Sequence, residues 1–171
     1  VLVRHNSYLF KGTVEENLKM AKPDATKEEM EAVLQKVNLL GFLQTQDGLQ
    51  TQLLEKASNL SGGQCQRLVI ARALLRTDSA VYIFDEAASN IDVESEELIM
   101  NVIHELAKTK TVLLISHRLA NVVKSDKIYF LKDGEIKESG KHDELMSQNG
   151  AYRHLYESQM ALENYGKGGM A

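Results

Sequence analysis

The stretch Ser61-Gly62-Gly63-Gln64 constrains the fold more than any other part of the chain, because an apolar helical stripe follows it directly. Ser61 is a favourable N-cap, and Gln64 completes a capping-box pattern, so a helix is predicted to begin here and to run to Arg76. Glycines leave the backbone open to a ligand, and the first N–H groups of a helix favour an anion. The stretch therefore predicts a phosphate-binding turn, with a simple glycine loop before a core helix as the alternative.

Composition narrows the classes of protein that the chain can belong to. A length of 171 residues is enough for a domain with a buried core. The net charge of −4, without a basic cluster, argues against a nucleic-acid partner. The longest apolar runs, such as 112–115, are far shorter than the roughly 18 residues that a membrane-spanning helix needs. The single cysteine, Cys65, excludes an internal disulfide and suits a reducing compartment.

Helix and strand signals change in character near residue 77. Capping patterns at Thr13 and Thr26 predict a mostly helical block over 13–76. Continuous apolar runs at 80–84 and 111–115 then flank a helix that begins at Asp92 or Ser95, which predicts an α/β core whose parallel strands are covered on both faces. Beyond it we expect a short helix at 119–123, strands at 127–131 and 135–138, helices at 142–147 and 151–162, and a disordered tail at 166–171.

Polar side chains follow both apolar runs. Asp85 and Glu86 come directly after the first run, and His117 comes shortly after the second. Ligands of parallel α/β sheets bind outside the carboxyl ends of the strands. There Asp85 would hold Mg²⁺, directly or through water, and Glu86 would orient or deprotonate an attacking water. His117 would donate a hydrogen bond to a phosphate. Each of these residues alone is more often ordinary surface, but together with the capped glycine turn they favour phosphate chemistry.

These motifs together resemble the nucleotide-binding domain of ATP-binding cassette (ABC) transporters over roughly residues 1–155. Residues 60–64 resemble the family's signature motif, 81–86 resemble Walker B with its catalytic glutamate, 89–92 resemble the D-loop, and His117 falls at the H-loop histidine. The resemblance implies an α/β fold, namely the C-terminal part of a P-loop NTPase (ABC ATPase) parallel-sheet core plus an α-helical subdomain.

The same resemblance divides the chain into segments. The end of a core strand and the Q-loop occupy 1–12, and the α-helical subdomain with the signature motif and its helix occupies 13–76. The RecA-like α/β core occupies 77–145, C-terminal helices follow over 146–165, and the tail covers 166–171. Segments 8–18 and 126–145 resemble exporter-type domains, which are usually fused to six transmembrane helices.

The resemblance also implies an ATPase that couples ATP hydrolysis to solute export at the cytoplasmic face of a membrane. Its partners would be a transmembrane permease domain, fused upstream, and a second nucleotide-binding domain in a head-to-tail homo- or heterodimer. The implied ATP and Mg²⁺ site consists of catalytic Glu86 and His117, metal-binding Asp85, and nucleotide-binding Ser61, Gly62, Gly63, Gln64, Asp92 and His5.

Three features depart from the family pattern. No G-x-x-x-x-G-K-[ST] P-loop, whose lysine and backbone N–H groups hold phosphates, occurs in the sequence. The family places that loop before the Q-loop, so we expect a fragment without the Walker A half that has little or no ATPase activity alone. His5 stands where the family has glutamine, and Cys65 stands where it usually has arginine.

Two other functions remain open from the sequence. The chain could be a non-catalytic docking or dimerisation module, which the missing P-loop favours and the intact Asp85, Glu86 and His117 disfavour. It could also belong to a soluble ABC ATPase of translation or DNA repair, which the exporter-like segments disfavour.

Overall fold

The backbone of the first 115 residues alternates short strands with helices. The computed structural model describes the backbone of residues 1–168 and the side chains of residues 1–163. Two compact units are present, Val1–Ile115 and a second that begins at Ser116. The first unit contains β1 (Leu2–Arg4), β2 (Gly12–Thr13), α1 (Val14–Lys19), α2 (Lys27–Lys36), α3 (Leu40–Gln44), β3 (Gln52–Leu53), α4 (Gly62–Leu74), β4 (Val81–Asp85), α5 (Val93–Ala107) and β5 (Thr111–Ile115). The second contains β6 (Ile128–Lys132), β7 (Glu135–Gly140), α6 (His142–Ser147) and α7 (Ala151–Gly168).

Side-chain caps fix the starts of the principal helices. The capping boxes predicted at Thr13, Thr26 and Ser61 are all confirmed. In each, the cap hydroxyl accepts the backbone N–H three residues ahead, while the side chain at that position accepts the N–H of the cap residue. Asp92, rather than Ser95, caps α5 by accepting the Ser95 N–H at 2.8 Å. The first residues of these helices can be predicted from sequence, because each cap depends on two residues only three positions apart.

A parallel sheet with the strand order β1-β4-β5 forms the centre of the first unit. The strands are in register, so that Arg4 pairs with Asp85 and Asp85 pairs with Ile115. The carboxyl ends of all three strands therefore lie level with one another. This sheet and its helices confirm the predicted α/β fold class.

The sheet is covered on one face only within the described residues, which corrects the prediction that both faces are covered. Val3, Tyr82 and Phe84 pack into a core with Leu68 of α4 and Ile99 of α5. The opposite face is apolar but open, with exposed fractions of 51% for Leu2, 46% for Val81, 49% for Leu113 and 45% for Ile115. A continuous apolar run indicates that both faces of a strand favour burial. The residues that would pack on each face lie elsewhere in the sequence, so the run cannot tell whether they are present.

A second part of the first unit consists of α1, α2, α3 and the β2–β3 pair, which share the core with α4. The buried amide of Asn17 fixes the loop before α1, because its Nδ2 donates to the carbonyls of Phe10 at 2.9 Å and Thr13 at 3.0 Å. The Phe10 N–H in turn donates to Asn17 Oδ1 at 2.9 Å. A buried side chain that satisfies the backbone in this way holds residues 10–13 in one conformation.

The second unit begins with a 3₁₀ helix, Leu119–Val122, and continues into a β6–β7 hairpin. Asp133 and Gly134 both have positive φ, 54° and 78°, which is the conformation of a type I′ turn. The carboxylate of Glu138 on β7 accepts the Ala151 N–H at 2.6 Å and the Tyr152 N–H at 3.3 Å. Glu138 thus neutralises the positive end of α7 from a neighbouring strand.

The C-terminal helix is longer than the sequence predicts. A helix was expected over 151–162 with a disordered tail from 166, but α7 continues to Gly168. The prediction of disorder is therefore wrong for 166–168, and residues 169–171 lie outside the described part of the chain. A single glycine such as Gly166 weakens a helix by about 1 kcal/mol but does not end it, unlike a proline.

Among the described side chains of the second unit, Tyr152 is the most enclosed aromatic one. It is fully buried, its hydroxyl lies 2.8 Å from His142 Nδ1, and its ring meets that of Phe130 edge to face. Burial, with a smaller contribution from Tyr156, raises the pKa of Tyr152 to about 12. The phenol is thereby held in its neutral form.

The open sheet face predicts unequal effects of two neighbouring substitutions on β5. Leu113→Thr should change the free energy of unfolding by less than about 0.5 kcal/mol, because its side chain is already half exposed. Leu114→Thr, on the core side, should cost more than about 1 kcal/mol. Urea unfolding followed by circular dichroism measures both values, and equal costs would contradict the one-sided cover.

The raised pKa of Tyr152 predicts a loss of stability at alkaline pH. Unfolding lowers the pKa to about 10, so the stabilisation is complete below that pH and is lost as pH rises towards the folded-state value of about 12. Tyrosinate absorbance during an alkaline titration should show one late-titrating group that Tyr152→Phe removes. Unchanged titration in that variant would contradict the assignment.

Candidate functional site

The predicted signature turn lies at the start of α4. The Gln64 N–H donates to Ser61 Oγ at 3.2 Å, and the Ser61 N–H donates to Gln64 Oε1 at 2.9 Å. Gly62 and Gly63 supply the first two N–H groups of the helix, for which an α-helix has no internal acceptor. Ser61 and Gly62 are exposed, whereas Gly63 is buried. The residues of the turn itself are therefore uncharged, and the Asp92 carboxylate of the α5 cap lies beside Gly63.

Asp85 and Glu86 occupy the carboxyl end of β4, as the sequence predicts. Asp85 Oδ2 lies 3.7 Å from Arg4 Nε across the sheet, and both side chains are partly exposed. A surface ion pair of this kind contributes only about 0–1 kcal/mol. The Asp85 carboxylate therefore stays accessible to another cation.

Glu86 has an unusual backbone conformation, with a φ of 53° in the left-handed region. Its N–H donates to the Ile115 carbonyl at 3.0 Å, and its own carbonyl accepts the Ser89 N–H at 3.1 Å and the Ser89 hydroxyl at 2.8 Å. A non-glycine residue in this region costs free energy and persists only where its surroundings hold it. Here β5 holds one side of the peptide and Ser89 holds the other, so the point at which the Glu86 side chain leaves the backbone is fixed.

The donor set at this edge of the sheet fits a magnesium ion. Among the described residues, no three His, Cys, Asp or Glu side chains form a group that could hold a metal alone. Mg²⁺ in phosphate chemistry uses one or two carboxylates and takes its other ligands from phosphates and water. One accessible carboxylate at Asp85, with Glu86 adjacent, therefore matches a metal–phosphate site and does not match an all-protein metal cage.

His5 precedes β4 in the sequence and Asp92 follows it, and the two residues have different local roles. The His5 N–H donates to the Asp85 carbonyl at 3.2 Å, which extends the pairing of β1 with β4 by one residue, and its side chain is exposed. Asp92 caps α5, and the backbone and hydroxyl of Ser95, with Arg67 nearby, hold the pKa of its carboxyl below the usual value. Asp92 is therefore an ionised cap.

His117 lies in the second unit, two residues after the end of β5. Its carbonyl accepts Gln159 Nε2 at 2.8 Å, and the Leu119 N–H donates to Gln159 Oε1 at 2.9 Å. Arg118 forms an ion pair of 3.0 Å with Glu163. These contacts fasten residues 117–119 to α7, and the approach of His117 to a phosphate stays a prediction.

Three residues make local contacts that the sequence does not predict. Arg4 meets Asp85 across two strands, Ser89 holds the Glu86 carbonyl, and Ser95 lies beside Gly63. Only Ser95 carries a sequence signal, since it stands three residues after the cap Asp92. The other two depend on strand register and on a loop conformation.

A groove in the first unit lies between β1, the loop before α1 and α4. It has a volume of about 380 Å³, and its lining includes Leu2, Phe10, Met20, Val69 and Arg72. Phe10 and Met20 are largely exposed, and the Phe10 ring meets Tyr8 edge to face at 4.8 Å. Arg72 donates to the Tyr8 carbonyl at 2.9 Å, and burial lowers the pKa of its guanidinium. The groove thus combines apolar walls with a partly buried cation.

Known proteins match the chain over most of its length. An uncharacterized ABC transporter ATP-binding protein of Haemophilus influenzae is 53% identical over 162 residues, which are 95% of this chain and 29% of that protein. An ATP-dependent lipid A-core flippase of Vibrio vulnificus is 42% identical over 92% of this chain and 27% of its own length. The chain thus spans less than a third of these relatives.

A solved structure and a family profile agree with these relatives. The structure of a bacterial Atm1-family ABC exporter with ATP bound has a TM-score of 0.83 and 30% identity, over 92% of this chain and 28% of that one. The profile described as "ABC transporter" matches residues 1–89, more than half of the chain. The signature turn and the Asp85–Glu86 pair lie within this match, and the chain belongs to the ABC transporter family.

Proposed function

We propose that this chain is part of the nucleotide-binding domain of an exporter that couples ATP hydrolysis to transport of a solute across a membrane. The observation that carries the proposal is the capped, uncharged glycine turn together with an acidic pair at the carboxyl end of β4. Both occur in a chain that aligns over more than 90% of its length with a lipid A-core flippase sequence and with an ATP-bound exporter structure. These motifs also occur along the chain in the order that the family resemblance implies.

The signature turn is the proposed contact for a phosphate. Ser61, Gly62 and Gly63 would meet ATP held by the P-loop of a second nucleotide-binding domain, and Gln64 would keep the turn in shape through the capping box. The N–H groups of the first helical turn and the helix dipole favour this anion. Asp92, the ionised cap of α5, would line the opposing dimer face.

The β4 edge is the proposed centre of hydrolysis. Asp85 would hold Mg²⁺, which supplies charge neutralisation to the phosphates when it is bound. Glu86, whose backbone is held by Ile115 and Ser89, would accept a proton from the attacking water. His117 would donate to the terminal phosphate, and His5 would stand near the metal at the Q-loop position.

The groove beside α4 is the proposed contact for the transmembrane permease. Its exposed Phe10 and Met20 offer apolar surface, and the Arg72 guanidinium offers a donor that already holds the loop at Tyr8. Exposed apolar area of this kind commonly marks an interaction site. In the described part of the chain, no helix has the length and apolar character to cross a membrane. The proposed place of the domain is the cytoplasmic face, beside a separate membrane-spanning region.

Glu86→Gln tests the proposed general base. In the full-length protein that contains this chain, the substitution should lower ATP turnover by at least about 100-fold, because the amide cannot accept the proton from water. Phosphate release per catalytic site is the measurement. Glu94→Gln, which removes an exposed carboxylate from α5, is the matched control and should stay near wild-type turnover. A Glu86→Gln variant with near wild-type turnover would exclude the assigned role.

Calorimetric titration with Mg·ATP tests where the phosphates are held. The chain alone should release little heat, because no P-loop sequence is present. Addition of a separately produced P-loop half of a family member should produce saturable binding. Tight, stoichiometric binding by the chain alone would contradict the proposed site. No binding in either case would favour a docking module that does not use nucleotide.

A further inference from the structure

A tight loop over residues 54–60, which we call the approach loop, leads directly into the signature turn. Lys56 and Ala57 are consecutive in this loop, and their φ values of 56° and 52° lie in the left-handed region. Neither residue is glycine, so both conformations cost free energy and persist only where their surroundings hold them. The loop ends at Leu60, next to Ser61, so its conformation determines where the turn lies.

The side-chain amide of Asn59 holds the exposed side of the approach loop. The Leu54 N–H donates to Asn59 Oδ1 at 2.9 Å, and Asn59 Nδ2 donates to the Gln52 carbonyl at 2.9 Å. One amide thus closes the loop and fastens its end to β3, where Gln52 pairs with Thr13 of β2. An amide supplies both the donor and the acceptor that these backbone groups require, which neither a carboxylate nor an alkyl group does.

The core and α4 hold the buried side of the same loop. Ala57 is fully buried, and its carbonyl accepts the Leu60 N–H at 2.9 Å. Cys65 Sγ lies 3.6 Å from the Ala57 carbonyl and 3.9 Å from the Leu60 carbonyl. Burial raises the pKa of the Cys65 thiol, so it stays protonated as a weak donor. These contacts fix one side of the loop, whereas the bonds of Asn59 reach back to residues 52 and 54 on the other.

We propose that Asn59 is a positioning residue for the signature turn. Its amide keeps residues 56–57 in the left-handed conformation and thereby sets the point at which Ser61 begins α4. Both ends of the amide bind the chain's own backbone, so its effect on ATP would be transmitted through the turn. The loop contacts stand on the geometry alone, whereas the effect on ATP use rests on the proposed function.

The strained residues explain why the loop needs this amide. Without it, residues 56–57 would relax towards an ordinary backbone conformation, and the N–H groups of the turn would be displaced with them. Glycine adopts the left-handed conformation freely, so a glycine at position 56 should make the loop less dependent on Asn59. Lys56 is exposed, and its replacement therefore removes no buried side chain.

Hydrogen–deuterium exchange of the full-length protein tests the contacts of the amide. Asn59→Ala should speed exchange in a peptide covering residues 54–60 at least about tenfold, because the Leu54 N–H loses its acceptor and the loop opens more often. Ser58→Ala, at an exposed position of the same loop, is the matched control and should exchange at the wild-type rate. Equal exchange in Asn59→Ala and the wild type would overturn the proposal.

ATP hydrolysis by the full-length protein tests the positioning role. Asn59→Ala should lower kcat/KM at least about fivefold, and Lys56→Gly in the same background should restore it to within about twofold of the Lys56→Gly protein. Lys56→Gly alone and Ser58→Ala should both stay near the wild-type value. Rescue from position 56 is expected only if Asn59 acts through the conformation of the loop.

Two results of these assays would overturn the positioning role. A loss of kcat/KM in Asn59→Ala that Lys56→Gly does not restore would show that the amide meets the ligand directly. Faster exchange with unchanged kcat/KM would show that Asn59 stabilises the loop without affecting the turn. Absence of ATPase activity in the wild type would refute the proposed function and the positioning role with it, while the exchange experiment would still decide the loop contacts.

Discussion

The pairing of β4 between β1 and β5 is the constraint on which the first unit depends. Backbone hydrogen bonds bring Arg4, Asp85 and Ile115 level, and they continue one residue further through the N–H groups of His5 and Glu86. The two carboxylates therefore leave the sheet at a fixed point. Because parallel strands end at the same edge, a single ladder of bonds determines where polar chemistry can be placed.

Local signals account for most of what the sequence predicts correctly. The capping boxes at Thr13, Thr26 and Ser61, the bounds of β5 and the turn at Asp133 depend on residues close together in the chain. The open face of Leu113 could not be predicted, because cover is a tertiary property and the strand carries the same apolar residues with or without it. The length of α7 was missed since glycine weakens a helix without ending it.

The candidate site shows the same division between identity and geometry. The residue types of Asp85 and Glu86 and their place after a strand are visible in the sequence. The left-handed backbone of Glu86 and the ion pair of Asp85 with Arg4 arise from strand register and loop closure, which no short motif encodes. In the same way, Gly62 and Gly63 are the same residue type, but only Gly63 lies against the start of α5.

The caps and first turns of the helices also differ in charge, and this difference directs anions. Carboxylates stand in the first turns of α1, α2, α5 and α6, and Glu138 reaches the start of α7 from β7. The first turn of α4 has no acidic residue, and a neutral serine and glutamine cap it. The chain thus satisfies the positive ends of its other capped helices with its own negative groups. The first turn of α4 carries no such carboxylate, and the carboxylate beside Gly63, that of Asp92, already caps α5. The proposed preference of this turn for a phosphate would therefore depend as much on where the chain places its carboxylates as on the two glycines.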